Sequence, residues 1–113
     1  MRRGEIWVAN LNPTRGAEIG KIRPVLVLQA DWLTDQGART VVVLPLSTKA
    51  RPEVSTLRFK ITARDHLKQD SHVVPEKIRS LDRSRFGTGP LTRLGDDELT
   101  AVEQHLRAVL GLL

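Results

Sequence analysis

At Arg23-Pro24 the chain turns from a polar loop into a continuous apolar run, and that junction limits what it can become. Proline fixes its own φ and pushes the preceding residue out of the helical region, so Arg23 is expected extended at the mouth of a strand. The run Pro24-Val25-Leu26-Val27-Leu28-Gln29 is apolar on both faces of a strand, which reads as a central position in a sheet. Thr40 to Leu46 is β-branched and again apolar on both faces. Pro45 cannot donate to a ladder, so the end of that strand is expected at an edge or a bulge. Upstream of Pro24, the loop carries Gly16 and Gly20 as hinges with Arg15, Glu18, Lys21 and Arg23 among them. A flexible charged loop closed by a rigid strand suits the handling of a phosphate, although surface charges in general need no special role.

The remaining segments read as follows. Glu5 to Asn10 alternates as a first strand, and Asn10-Leu11-Asn12-Pro13 is a turn. Asp31 to Gly37 reads as a polar connection and Ser47 to Glu53 as a loop with Lys49 and Arg51. Thr56 to Ile61 sets Leu57, Phe59 and Ile61 against Arg58 and Lys60, a strand with one wet face. Thr62 is placed to cap a short helical turn. His72 to Ser80 reads as a strand interrupted by Pro75, and Asp82 to Phe86 as a turn of helix. Asp96, Asp97 and Glu98 then favour a helix start through the macrodipole, and Leu99, Val102, Leu106, Val109 and Leu110 share one face. His105 falls on the polar side of that helix. About five strands followed by one main helix make an α+β domain with a curled antiparallel sheet.

At 113 residues the chain is expected to form one domain, residues 1–113. It has 40% apolar and 27% charged residues, the balance of a soluble globular protein. It has no cysteine, which excludes disulfides and thiolate metal sites. No apolar run approaches the roughly 20 residues that span a bilayer, so no membrane role is expected and the cytoplasm is the default location. Charge is unevenly spread. Residues 1–93 hold 17 Lys and Arg against 9 Asp and Glu, whereas residues 94–113 hold 1 against 4. A basic body points to a polyanionic partner, nucleic acid above all. His66, His72 and His105 lack ligand spacing, so no metal is expected. Gly16 and Gly20 are not followed by the Gly-Lys-Ser/Thr of a phosphate-binding loop.

Four ordered blocks carry a family resemblance: Arg3-Gly4-Glu5-Ile6-Trp7, Asn12-Pro13-Thr14-Arg15-Gly16-Ala17-Glu18, Arg23-Pro24-Val25-Leu26-Val27 and Leu44-Pro45-Leu46-Ser47-Thr48. With the run Pro75-Glu76-Lys77-Ile78-Arg79-Ser80-Leu81-Asp82, they resemble the MazF/PemK family of bacterial toxin endoribonucleases over nearly the whole chain. The resemblance implies a small, SH3-like, partly open antiparallel β-barrel with short helices and a C-terminal helix, working as a homodimer. It further implies cleavage of single-stranded RNA at a short sequence, without a cofactor, and neutralisation by a cognate MazE-like antitoxin. The family's catalytic arginine falls on Arg23, its catalytic threonine on Ser47 and its first-loop glutamate on Glu18. Serine stands where threonine is usual and Thr48 follows, so Thr48 is the alternative hydroxyl. Thr14, Arg15, Lys21, Lys49, Arg51, Lys77 and Arg79 are the candidates for contact with RNA. Glu18 is expected to orient Arg23, or else to accept the 2′-OH proton. With no Tyr, 2 Phe and 2 Trp, base stacking is limited and polar groups must read the bases.

A different class remains open. The CcdB-type toxins resemble MazF in fold but poison DNA gyrase through a C-terminal segment bearing a tryptophan. This chain ends Leu110-Gly111-Leu112-Leu113, with Trp only at 7 and 32. A nuclease-dead binding module of the same fold is a third possibility.

Overall fold

The computed structural model describes residues 1–49 and 51–112, apart from the side chains at 54 and 55. Ala50, in the loop expected over 47–53, and Leu113, in the chain end discussed above, lie outside the described residues. Among the described residues there are seven strands: β1 (Glu5–Asn10), β2 (Ile22–Val27), β3 (Thr40–Ser47), β4 (Phe59–Ile61), β5 (Ser71–Val73), β6 (Arg79–Asp82) and β7 (Thr92–Arg93). Two α-helices, α1 (Asp31–Asp35) and α2 (Asp96–Leu110), and three 3-10 turns complete the order.

All strand pairs are antiparallel, and β2 lies between β1 and β3 as its apolar faces require. The outer edge of β3 is shared by two partners. Thr40 to Val43 pair with β6, and Leu46 and Ser47 pair with β5. Pro45 lies at this change of partner, not at a sheet edge, and its carbonyl accepts from Val74 N at 2.9 Å. A strand residue's N–H and C=O point to the same side, so the proline nitrogen faces the gap between β6 and β5, where no ladder bond is lost. The sheet then curls back on itself. After β6, Phe86 bridges Ala9, and Val8 exchanges hydrogen bonds with Gly87 N and Thr88 O, both at 2.8 Å. The result is a partly closed barrel.

Two apolar clusters lie on either side of β2 and β3. Val25, Val27, Val41, Val43, Ala9, Leu11 and Leu81 form one, and Leu26, Leu28, Leu44, Leu46, Ile6, Val73 and Val102 belong to the other. Burial of one such side chain contributes about 1.5–3 kcal/mol, and among the described residues β2 and β3 supply seven of the 18 buried apolar side chains.

Several expectations are corrected. β2 starts at Ile22, which places Arg23 inside the strand opposite Ala9 and not at its mouth. Asp31 to Asp35 is helical where a polar connection was expected, because one turn is too short to display periodicity. A 3-10 turn over Pro52–Leu57 shortens the expected strand to Phe59–Ile61. Thr62 caps no helix; Arg64 bridges Leu67 in a tight turn with Asp65 at φ 51°. The segment 72–80 is β5, a 3-10 turn at Pro75–Lys77 and the start of β6. The helical turn expected over 82–86 is a 3-10 turn at Arg83–Arg85, capped by Asp82.

Helix α2 follows the expected face, with Val102 buried and Leu99 and Leu106 packed on the core. Gly111 ends it in the left-handed region at φ 70°. His105 is not on a polar face: its Nδ1 lies 2.9 Å from Leu57 O and its ring meets Phe59 edge-on.

The helix start is tied down by Arg64, which donates to both Glu98 oxygens at 2.8 Å and to Arg93 O at 2.9 Å. These bonds, with one from Gly95 N, hold the Glu98 carboxyl below its ordinary pKa. A depressed carboxylate pKa contributes stability above the ordinary value of 4.5, which is lost as pH falls through the lower folded value. Glu98→Gln should therefore cost about 1 kcal/mol at pH 7 and flatten the acid limb of the stability curve. Urea unfolding across that range checks both; an unchanged acid limb would assign the acid sensitivity to other groups.

Candidate active-site cleft

A cleft of about 810 Å³ opens where the loop before β2, the end of β3 and the 3-10 turn 75–77 meet. Arg23 projects from β2 at its wall and is half-buried. Its Nε donates to Gly20 O at 2.8 Å and its Nη1 to Leu46 O at 3.2 Å. Among the described residues no carboxylate pairs with it. Two neutral carbonyls therefore aim the guanidinium without neutralising it. Burial lowers its pKa from the ordinary arginine value.

Leu46 also anchors Ser47, the last residue of β3, so the same strand end that orients Arg23 presents the serine hydroxyl. Ser47 is half-buried, and its Oγ accepts from Lys49 N at 3.2 Å. Thr48 lies beyond the strand and is exposed. Both line the cleft.

Glu18 lines the same cleft but is spent locally, its Oε1 accepting from Arg15 N at 2.7 Å. The expectation that it orients Arg23 is not met, because the carbonyls of Gly20 and Leu46 already fill that role. A Cβ at Gly20 would stand 2.8 Å from Asn12 Oδ1 and 3.0 Å from Thr14 Oγ1, so any larger residue there would displace those side chains.

Lys21, Lys49, Arg51 and Lys77 line the cleft, with Lys21, Lys49 and Arg51 exposed. Thr14 and Arg15 do not line it. Arg79 turns into a smaller adjoining cavity of about 250 Å³ and donates to Leu11 O at 3.2 Å. Among the described residues no cluster of three or more His, Cys, Asp or Glu is arranged to hold a metal ion. No helix among them is long and apolar enough to cross a membrane.

The sequence reading missed a buried ion pair in the cleft wall. Arg58 Nη2 donates to Glu76 Oε2 at 3.0 Å, and the Arg58 side chain is only 7% exposed. Among the described residues Arg58 Nε and Glu76 Oε1 have no partner. Alternation placed Arg58 on a wet face, and nothing in the sequence joins it to a residue 18 positions later. With this pair, the cleft lining holds six cations (Lys21, Arg23, Lys49, Arg51, Arg58, Lys77) and three carboxylates (Glu18, Glu53, Glu76). It attracts anions.

A sequence model described as PemK-like, MazF-like toxin of type II toxin-antitoxin system matches residues 2–110. The chain belongs to that family. It is 30% identical to Endoribonuclease EndoA of Bacillus subtilis (strain 168), across 100% of this chain and 97% of that protein. MazF from Deinococcus radiodurans (Form-I) superposes with a TM-score of 0.79 at 28% identity, covering 98% of this chain and 96% of that one. The MazE-MazF structure (Form-II) from the same organism gives 0.77 at 25% identity, covering 100% and 97%. The curled sheet with its C-terminal helix is thus the family's fold.

Removing one partner of a buried pair leaves the other charge uncompensated. Glu76→Ala should therefore destabilise the protein by about 3 kcal/mol, whereas Glu76→Leu combined with Arg58→Met should recover most of the loss. Denaturant midpoints for the three proteins test this, and a double variant no better than the single one would disprove it.

Proposed function

We propose that this chain is a sequence-specific endoribonuclease toxin that cuts single-stranded RNA with Arg23, Ser47 and Glu18. The observation that carries the reading is an unneutralised, half-buried arginine beside a strand-end hydroxyl in a cationic cleft. Family membership and the relative named as an endoribonuclease support it.

RNA supplies its own nucleophile, so the chemistry calls for neither a metal nor a covalent residue. The ribose 2′-oxygen bonds to the adjacent phosphorus as the bond from phosphorus to the 5′-oxygen breaks. The products are a 2′,3′-cyclic phosphate and a 5′-hydroxyl. The protein's task is to align these atoms and stabilise the charge on the phosphorane. The planar guanidinium of Arg23 matches two phosphate oxygens. Its lowered pKa makes it the better acid for the departing 5′-oxygen. Glu18, not needed to orient Arg23, is left to take the 2′-OH proton, which then returns through solvent to Arg23. Ser47 is the better-placed hydroxyl, since the strand fixes its backbone while Thr48 lies outside. Lys21 and Lys49 follow the RNA backbone, with Arg51, loosely paired with Glu53 at 3.9 Å, beside them. No observation favours the gyrase-poisoning alternative.

Cleavage should persist in EDTA and stop when the 2′-hydroxyl at the cut site is removed. Arg23→Ala should lose about 100-fold in rate, and Arg23→Lys should stay impaired because a point charge cannot replace the fork. Ser47→Ala should cost much more than Thr48→Ala. Activity that dies on chelation and returns with magnesium would overturn this mechanism, and the opposite hydroxyl ranking would move the site by one residue.

A homodimer and a cognate antitoxin complete the reading. Ile22, Trp32, Leu110 and Leu112 expose large apolar area, which favours self-association. A partner with an acidic, apolar-studded tail, disordered when free, would suit the cationic cleft and compete with RNA there. Light scattering should give twice 12.6 kDa for the toxin alone. Antitoxin should abolish RNA binding, associating more slowly as salt rises. A monomer, or antitoxin that leaves RNA binding intact, would refute the respective half.

A further inference from the structure

Three cations that follow β5 in the chain donate to the main chain at the end of β1 and in the loop before β2. Lys77 Nζ donates to Ala17 O at 2.9 Å and Arg79 Nη1 to Leu11 O at 3.2 Å. Arg85 Nη1 donates to Asn10 O at 3.1 Å and also to Asn12 O. Asn10 ends β1, while the other three carbonyls belong to a loop with little regular structure of its own, so the bonds tie it down across 60 to 75 residues of sequence.

The fixed loop leads to Arg23 through a short series of contacts. Arg85 holds the Asn12 carbonyl, and the Asn12 side chain accepts from Lys21 N at 2.9 Å. Leu11 N donates to Lys21 O at 2.9 Å, which pins the same residue from the other side. Lys21 is held at φ 69°, a left-handed conformation that a lysine adopts only under outside constraint. Gly20, immediately before it, packs against Asn12 and Thr14 and supplies the carbonyl that receives Arg23 Nε. The aim of the guanidinium thus depends on where the loop sits.

We propose that Arg85, with Arg79 and Lys77, is a positioning residue for Arg23, acting through the loop and not on the substrate. Arg85 lines neither of these two cavities. Arg79 and Lys77, offered by the sequence for contact with RNA, each donate one hydrogen bond to the loop. The catalytic part of this proposal rests on the nuclease reading above; the structural part does not.

Two measurements on Arg85→Ala test the proposal. The first follows an RNA that the wild-type protein cuts, together with its uncleavable 2′-deoxy analogue. The rate at saturating RNA should fall about 10-fold or more, as for a slightly misplaced catalytic group, with KM unchanged. The salt dependence of analogue binding should keep its slope, and Arg85→Lys should restore part of the rate. A slope shallower by about 0.7 would make Arg85 a phosphate contact and overturn the proposal. The second measurement is the NMR exchange rate of the Arg23 Nε–H with solvent, which should rise in Arg85→Ala. An unchanged exchange rate would show that the loop transmits nothing. Should Arg85→Ala fail to fold, Arg79→Ala, which removes a single bond to the neighbouring carbonyl, carries the same two readouts. If the wild-type protein cuts no RNA, the nuclease reading fails, and the exchange measurement still decides the positioning claim.

Discussion

The architecture depends on the pairing of β2 with β3, two strands buried on both faces. Val25 faces Pro45 and Leu26 faces Leu44 across this pair, with an apolar cluster on each side. Because both faces are dry, a one-residue slip would move valines into the leucine cluster and leucines into the valine cluster. The register is therefore tightly specified, and the cleft inherits its precision. Arg23 stands two positions before Val25 on one strand, and Ser47 two positions after Pro45 on the other. Antiparallel pairing brings those two ends to the same edge of the sheet.

The second constraint is the change of partner on β3. A strand of eight residues that pairs with β6 along its first half and β5 along its last must bend the sheet around it. That bend curls β6 back toward β1 and sends β5 and β4 to the other side, beneath α2. Proline at the switch costs no hydrogen bond and discourages either partner from extending past it. The cleft lies on the β5 side of this division, which explains why Arg58 and Glu76, flanking β4 and β5, form part of its wall.

The electrostatics follow from the same geometry. A guanidinium that met a carboxylate would be neutralised as an anion binder. Among the described residues Arg23 donates to carbonyls and pairs with no carboxylate, which orients it and leaves its charge available. Elsewhere cations are spent on structure: Arg64 on Glu98, Arg58 on Glu76, and Arg79 and Arg85 on loop carbonyls. The net positive charge of the chain is thus a poor guide to which cations face a ligand.

The sequence by itself determined the elements whose signal is carried by their own residues. β1, the two strands apolar on both faces and the amphipathic α2 were legible because alternation, burial on two sides and a 3.6-residue repeat are local properties. Arg23, Ser47, Thr48 and Glu18 were legible as ordered motifs shared with a family, and the cleft gathers all four. Only the tertiary structure decided the rest. β4 and β7, of three and two residues, exist because a neighbour pairs with them, and α1 is a single turn. Pro45 promised an edge or a bulge in the sequence and proved to be an internal switch, because two partners share one side of β3. Arg58 alternated as a wet residue and is buried, since its carboxylate arrives from another strand's end. Lys77 and Arg79 were candidates for RNA contact, and folding brings each within hydrogen-bond reach of a carbonyl in the loop before β2. In each case the deciding partner lies far along the chain, and a charge's role depends on what folding places within about 3 Å of it.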